Sequence, residues 1–338
     1  MKKVALIGIG KMGISHLAIA NQTPGIEVKA ICDTSKPLLR AIEKNTKFIG
    51  YTDYKKMLTE LTLDGVMILV PNAYHFELAK YCIERGIHVF IEKPFTLSYK
   101  NSASLVDLAN KHQVMGQVGY VNRYNLIFRE VKKLLNQNII GDISSYKNSM
   151  IGGVVLKENK GWRNDYKKGG GCLYDYGPHC FDLATYFFGD NVKVQSSILK
   201  KVFSTNVDDI VNVTLLHNNS IVGSNYINWS DNTVRKASNN IEIIGKEGKI
   251  LANKQEFKVF LNEDNIKLNL TKGWNEIYVT DQNTDIFYYL RGEEFSLQLI
   301  EFSNMLNGKI DKSISSLESA SITDRIIEES KKLNKEII

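Results

Sequence analysis

Val4-Ala5-Leu6-Ile7-Gly8-Ile9-Gly10-Lys11-Met12-Gly13 is an apolar run that passes directly into a G-x-G-x-x-G spacing. A helical pattern follows it (Ile14, Leu17, Ala18), and a second apolar run, Ile26 to Cys32, ends at Asp33. That acid stands twenty residues beyond Gly13. Strand, glycine loop, helix and acid in this order form the dinucleotide fingerprint, whereas the glycines alone would mark only a tight turn. Gly8 permits the turn, Gly10 lets the backbone approach a pyrophosphate, and Gly13 lets helix and strand pack closely. The diphosphate belongs at the helix N-terminus beside Lys11 and Met12, where free N–H groups and the helix dipole favour an anion. A carboxylate at Asp33 accepts hydrogen bonds from ribose hydroxyls and repels a 2′-phosphate, so NAD is expected, with NADP as the alternative that Lys36 could ease.

The bulk numbers bound the rest. At 338 residues the chain is long enough for two domains, and 43% hydrophobic with 24% charged residues is a globular balance. No apolar run reaches bilayer length, and the opening Met-Lys-Lys leads at once into a strand. The four cysteines, Cys32, Cys82, Cys172 and Cys180, have no C-x-x-C or metal spacing, so reduced thiols in a cytoplasmic protein without a metal are expected. The net charge of +6 suits an anionic substrate, but the basic residues are dispersed and argue against nucleic acid as a partner.

To about residue 120 strands alternate with helices, which predicts a doubly wound parallel sheet, a Rossmann domain over residues 1–120. Ligands bind outside the carboxyl ends of such strands, which selects Gly8–Gly13, Asp33, Val70–His75 and Glu92–Pro94. Beyond residue 120 short β-rich runs separated by turn-formers, such as Asn218-Asn219-Ser220, predict an α+β domain with a large, mostly antiparallel sheet over 121–338. Two helical patterns, 293–306 and 317–333, close it.

Three further motifs join the first. Val70-Pro71-Asn72-Ala73-Tyr74-His75 follows one strand and Glu92-Lys93-Pro94 the next. The third is Gly169-Gly170-Gly171-Cys172-Leu173-Tyr174-Asp175-Tyr176-Gly177-Pro178-His179. With all four in place the chain resembles the Gfo/Idh/MocA oxidoreductases, named for glucose–fructose oxidoreductase, inositol dehydrogenase and a rhizopine-catabolism protein. The resemblance extends over essentially the whole chain. It implies a dehydrogenase or reductase in which Lys93, Asp175 and His179 are catalytic and also contact the substrate. It implies that Asn72, His75 and Glu92 line the nicotinamide half of the cofactor, often joined by Trp162 and Arg163, and that Val70, Pro71 and Lys93 also bind the cofactor. Tyr120, Arg123 and Tyr124 match a segment beside the family's substrate pocket. The family commonly has Thr at Val70 and Pro at Leu126, so one hydroxyl contact is absent and the second loop takes its own course.

The side chains suit that chemistry. An unperturbed histidine pKa lies near neutrality, which suits His179 to take a hydroxyl proton, and Lys93 offers a cation to the substrate oxygen. Asp175, four residues before His179, shares its face if one helix spans both, but Pro178 either starts the helix near Gly177 or kinks it. The alternative is a structural His179 with Asp175 as a helix cap. The expected substrate is a sugar, cyclitol or nucleotide-linked sugar. Two other outcomes fit the same family: an epimerase, lyase or glycosidase that recycles its NAD, and a non-catalytic NAD-binding regulator. A homodimer or homotetramer is expected, because a sheet with one bare face needs a cover.

Overall fold

A computed structural model describes residues 1–153 and 162–337. Contacts divide the chain into two units, Met1–Val121 with Asp285–Ser321, and Asn122–Thr284 with Ile322–Ile338. The sequence pattern assigns 285–321 to the second domain, whereas in the structure this stretch folds into the first unit.

In the first unit strands β1 (Lys2–Ile7), β2 (Ile26–Cys32), β3 (Ile49–Tyr51), β4 (Gly65–Ile68), β5 (His88–Ile91) and β6 (Gly116–Val118) form a parallel sheet. Its order is β3-β2-β1-β4-β5-β6. Helices α1 (Lys11–Gln22), α2 (Lys36–Asn45), α3 (Tyr54–Glu60), α4 (His75–Ile83) and α5 (Tyr99–His112) make the crossovers. The order reverses between β1 and β4, which opens a crevice at their carboxyl ends. One sheet face packs Ala5, Ile68, Val89 and Ile91 against Leu78, Cys82 and Leu105. The other packs Val4, Leu6, Met67 and Phe90 against Leu17, Ala20 and four residues from beyond 285, Leu299, Phe302, Met305 and Leu306. Burying each such large side chain contributes about 1.5–3 kcal/mol. At the β6 edge Val118 N–H donates to the Ser315 carbonyl (2.9 Å) and the Ser315 hydroxyl to the Val118 carbonyl (2.7 Å). The returning segment thereby covers an otherwise bare edge.

The second unit contains α6 (Leu126–Asn136), β7 (Ile143–Ile151), α7 (Cys172–Asp175), α8 (Gly177–Phe188), β8 (Val192–Lys200), β9 (Ile210–His217) and β10 (Ile221–Asn228). Strands β11 (Ser238–Gly245), β12 (Gly248–Ala252), β13 (Glu256–Leu261) and β14 (Gly273–Tyr278) follow. The eight strands run in the order β14-β13-β12-β11-β7-β10-β9-β8, antiparallel throughout except at the β7–β10 pair. One face is covered by Phe128, Val131, Leu183 and Phe187 of α6 and α8. The opposite face is of mixed character, exposing Ile198, Val222 and Trp274 beside polar side chains, with a groove of about 510 Å³ lined by residues such as Lys147, Ser224, Tyr226 and Glu242. The last helices are α9 (Glu293–Leu306), which belongs to the first unit, and α10 (Leu317–Ile337), which begins in it. Among the described residues no helix is long and apolar enough to cross a membrane.

Candidate active site

The glycine loop leaves β1 with Gly8 in the left-handed region, φ +94°, and a Cβ there would stand 2.8 Å from the Leu69 carbonyl carbon. Only glycine meets both conditions. A Cβ on Gly13 would lie 2.0 Å from the Gly8 carbonyl oxygen, so α1 packs directly on the loop. At Gly10 a Cβ would meet nothing within 4 Å, which leaves open space in front of the α1 N-terminus. Gly10 caps α1 without a side-chain hydrogen bond, and no acid stands in the first turn. The N–H groups of Lys11, Met12 and Gly13 therefore lack intrahelical acceptors and suit an anion. Asp33 follows β2, and its carboxylate accepts the Ile9 and Ser35 N–H groups, each at 2.8 Å. Each oxygen keeps a lone pair for a ribose hydroxyl.

The loop after β4 carries Val70, Pro71 and Asn72. Asn72 is buried, and its Nδ2 has no hydrogen-bond partner among the described residues. A buried amide donor without a partner is costly and points to a ligand group. His75 was expected to line the cofactor, but its ring is fully buried. Its Nδ1 lies 2.9 Å from the Pro94 carbonyl and its Nε2 2.9 Å from that of Val70. Burial lowers its pKa despite these contacts. His75 thus ties the β4 and β5 loops together. Glu92 and Lys93 follow β5. The Glu92 carboxylate meets His16 Nε2 at 2.7 Å and accepts the Lys93 N–H at 3.1 Å. Burial alone would raise the Glu92 carboxyl, but His16 and the Lys93 charge hold it below the usual range. The His16–Glu92 contact joins residues 76 apart in sequence, beyond the reach of local pattern.

In the second unit Trp162 and Arg163 form a short turn before the triple glycine, with the guanidinium 4.6 Å from the Trp162 ring. Gly170 and Gly171 fold back on this turn, and a Cβ on Gly170 would lie 2.3 Å from the Arg163 carbonyl oxygen. The turn brings Arg163 Nε to 2.8 Å from Asp175 Oδ2, making an ion pair with a buried carboxylate. Asp175 closes α7, and α8 begins at Gly177 with Pro178 in its first turn. The four-residue spacing to His179 therefore crosses a helix junction, and Asp175 caps neither helix. Asp208 holds the start of α7. Its carbonyl accepts the Cys172 N–H (2.8 Å) and its Oδ2 the Leu173 N–H (2.7 Å). Burial pushes the Asp208 carboxyl up to about 6. Sequence reasoning missed this residue, which carries no motif.

Two residues expected beside the substrate pocket are buried. Tyr120 is fully buried in the first unit's core. Arg123 in the second unit is buried against Asp182, with Nε at 2.9 and 3.0 Å and Nη2 at 2.7 Å from its oxygens. Its bidentate fork serves the interior of the unit.

The reversed parallel sheet, the glycine turn, the open helix N-terminus and the strand-end acid define a dinucleotide-binding Rossmann unit joined to a second unit built on an eight-stranded sheet. The chain belongs to the Gfo/Idh/MocA oxidoreductase family: residues 2–120 match its NAD-binding Rossmann fold and residues 128–251 its C-terminal domain. An oxidoreductase of Bacillus subtilis (strain 168), YrbE, is 27% identical over 189 residues, which are 55% of this chain and 54% of that protein. The scyllo-inositol 2-dehydrogenase (NAD(+)) of the same organism is 24% identical over 216 residues, 62% of this chain and 61% of that protein. The chain thus spans a little over half the length of these curated relatives. Among solved structures, levoglucosan dehydrogenase in complex with NADH superposes with a TM-score of 0.87 at 22% identity, over 99% of this chain and 97% of that one. The first unit is an NAD-binding Rossmann domain, and the residues above fit the cofactor: space at Gly10, acceptor capacity on Asp33 and a spare donor on Asn72.

Proposed function

We propose that the protein is an NAD-dependent oxidoreductase acting on a secondary alcohol or ketone at a ring carbon of a sugar, cyclitol or nucleotide-linked sugar. The observation that carries this reading is Lys93 at the carboxyl end of β5, held by its N–H on Glu92 at the rim of the cofactor crevice. Bound NAD supplies the hydride acceptor, and NADH the donor. His179 takes the hydroxyl proton in oxidation and returns it in reduction. Lys93 places a cation and its donors on the substrate oxygen, which stabilises alkoxide character or polarises a ketone. Asp175, ion-paired with Arg163, supplies a negative charge that favours a protonated imidazole. The names of similar proteins, a scyllo-inositol dehydrogenase and a levoglucosan dehydrogenase, support a polyol ring as substrate class. We also place the protein as a homodimer or homotetramer paired through the open sheet face, for which light scattering should give a mass at least twice that of the chain.

The test is incubation with NAD and pooled sugars, cyclitols and nucleotide sugars, followed by mass spectrometry. A product two hydrogens lighter with stoichiometric NADH is the expected result. Altered product without net NADH would replace net oxidation by a recycled cofactor.

A further inference from the structure

His16 and Glu92 form a charge arrangement that the expected chemistry does not use. His16 lies on α1, the helix whose N-terminus faces the diphosphate position, and its side chain is fully buried. Its ring rests against Phe90 (centroids 5.3 Å) and Phe295 (6.2 Å). Nε2 lies 2.7 Å from Glu92 Oε1, while Nδ1 is buried without a partner among the described residues. A proton on Nδ1 would be a charged donor with nothing to receive it, which is far costlier than an idle lone pair. The ring is therefore the neutral tautomer carrying its hydrogen on Nε2. It orients the carboxylate without cancelling its charge.

Glu92 stands directly after β5, where a Rossmann sheet places the reacting half of its dinucleotide. The Gly119 backbone, following β6, packs close against the carboxylate, since a Cβ there would lie a tight 3.3 Å from it, so no side chain stands between them. The Lys93 N–H fixes its second oxygen. The carboxylate is thus held by two neutral donors in a mostly buried position, with a side-chain exposure of 14%. A nicotinamide ring is cationic when oxidised and neutral when reduced, so a fixed nearby charge acts on one form only.

We propose that the His16–Glu92 couple is a fixed negative charge that makes the site prefer NAD⁺ over NADH, opposing the cation of Lys93. This inference rests on NAD binding by the first unit and is independent of the substrate reading. One unit charge acting across about 10 Å at an effective dielectric constant of ~20 changes the affinity ratio on the order of tenfold. For this two-electron couple tenfold corresponds to about 30 mV in the potential of the bound cofactor.

The experiment is calorimetric titration of the purified full chain with NAD⁺ and NADH separately, which needs no substrate and no turnover. In Glu92→Gln the ratio Kd(NAD⁺)/Kd(NADH) should rise about tenfold, and in Lys93→Met it should fall several-fold. In His16→Gln, which keeps a neutral donor toward Glu92, it should stay within twofold of the unaltered protein. A folded Glu92→Gln protein with an unchanged ratio overturns the proposal. If Glu92→Gln does not fold, Lys93→Met decides, and an unchanged or increased ratio there overturns it equally. A large shift in His16→Gln would show that the imidazole carries charge and would also overturn it.

Discussion

The glycine loop of the first unit and the 162–182 segment of the second are held in place by opposite means. The loop uses backbone: Gly8 and Gly13 bring chain against chain, and Asp33 is fixed by two N–H groups. The 162–182 segment uses charge: Arg163 pairs with Asp175, and Asp182 of α8 pairs with Arg123. Backbone recognition needs only small residues at fixed spacing, so steric changes should break it. Buried charges are costly alone and tolerable only in company, so deleting one partner should break them.

The contrast can be tested from the largest effect downward. Arg123→Ala strands Asp182 and should cost about 3–5 kcal/mol in urea unfolding, whereas Arg123→Met with Asp182→Leu should recover most of the loss. NAD affinity of the folded variants should not change. A single variant as stable as the parent would remove the buried pair from the account.

Next in size is a pH effect in the second unit. His217 is buried between the Tyr146 hydroxyl and the Gly189 carbonyl, both at 3.1 Å, and burial pushes its imidazole down to about 4. An unfolded histidine titrates near 6.5, so between these values the unfolded chain binds more protons. This stability is fully present above about 6.5 and is lost as the pH falls to 4, by roughly 3 kcal/mol. Asp208 and Asp182 act in the reverse sense. Burial raises each to about 6, so their contribution is present at low pH and is lost as the pH rises through 6. The difference in unfolding free energy between the parent and His217→Gln across pH 4 to 7 isolates the histidine, and a flat difference would contradict its burial as a neutral ring.

In the first unit Gly13→Val should weaken NAD binding by about a hundredfold or more, because the added carbon has no room beside the Gly8 carbonyl. Asp33→Asn should weaken it by only about tenfold, since the amide still accepts one N–H and one ribose hydroxyl. Calorimetry reads both, and equal losses would mean that steric fit is not what separates the two positions.

The same contrast explains what sequence could convey. The loop is readable because Gly8 and Gly13 answer local steric demands, and β2 and α9 have the bounds that the apolar pattern predicts. The three-residue edge strand β3 is too short to show a period, and the sequence reading passes over β13 and β14 although buried Phe257, Val259 and Leu261 alternate with less buried Glu256, Lys258 and Phe260. The return of α9 to the first unit has no local signature: Leu299, Phe302 and Leu306 make an apolar stripe that could cover any sheet. Lys93 and Asp175 were found by motif, but their surroundings were not. His16 with Glu92 and Arg123 with Asp182 are pairs distant in sequence, and a lone buried charge looks in sequence like an exposed one. The burial of Tyr120 and His75 is equally invisible in sequence, because it depends on tertiary packing.

The most direct test uses NADH deuterated at the transferable position, mixed with pooled cyclic ketoses and inososes in a single turnover. The account predicts deuterium on a ring carbon of the alcohol product, and His179→Ala binding NADH normally but transferring the label roughly a hundredfold more slowly. Label that stays on the cofactor, or full-rate transfer by His179→Ala, would contradict it.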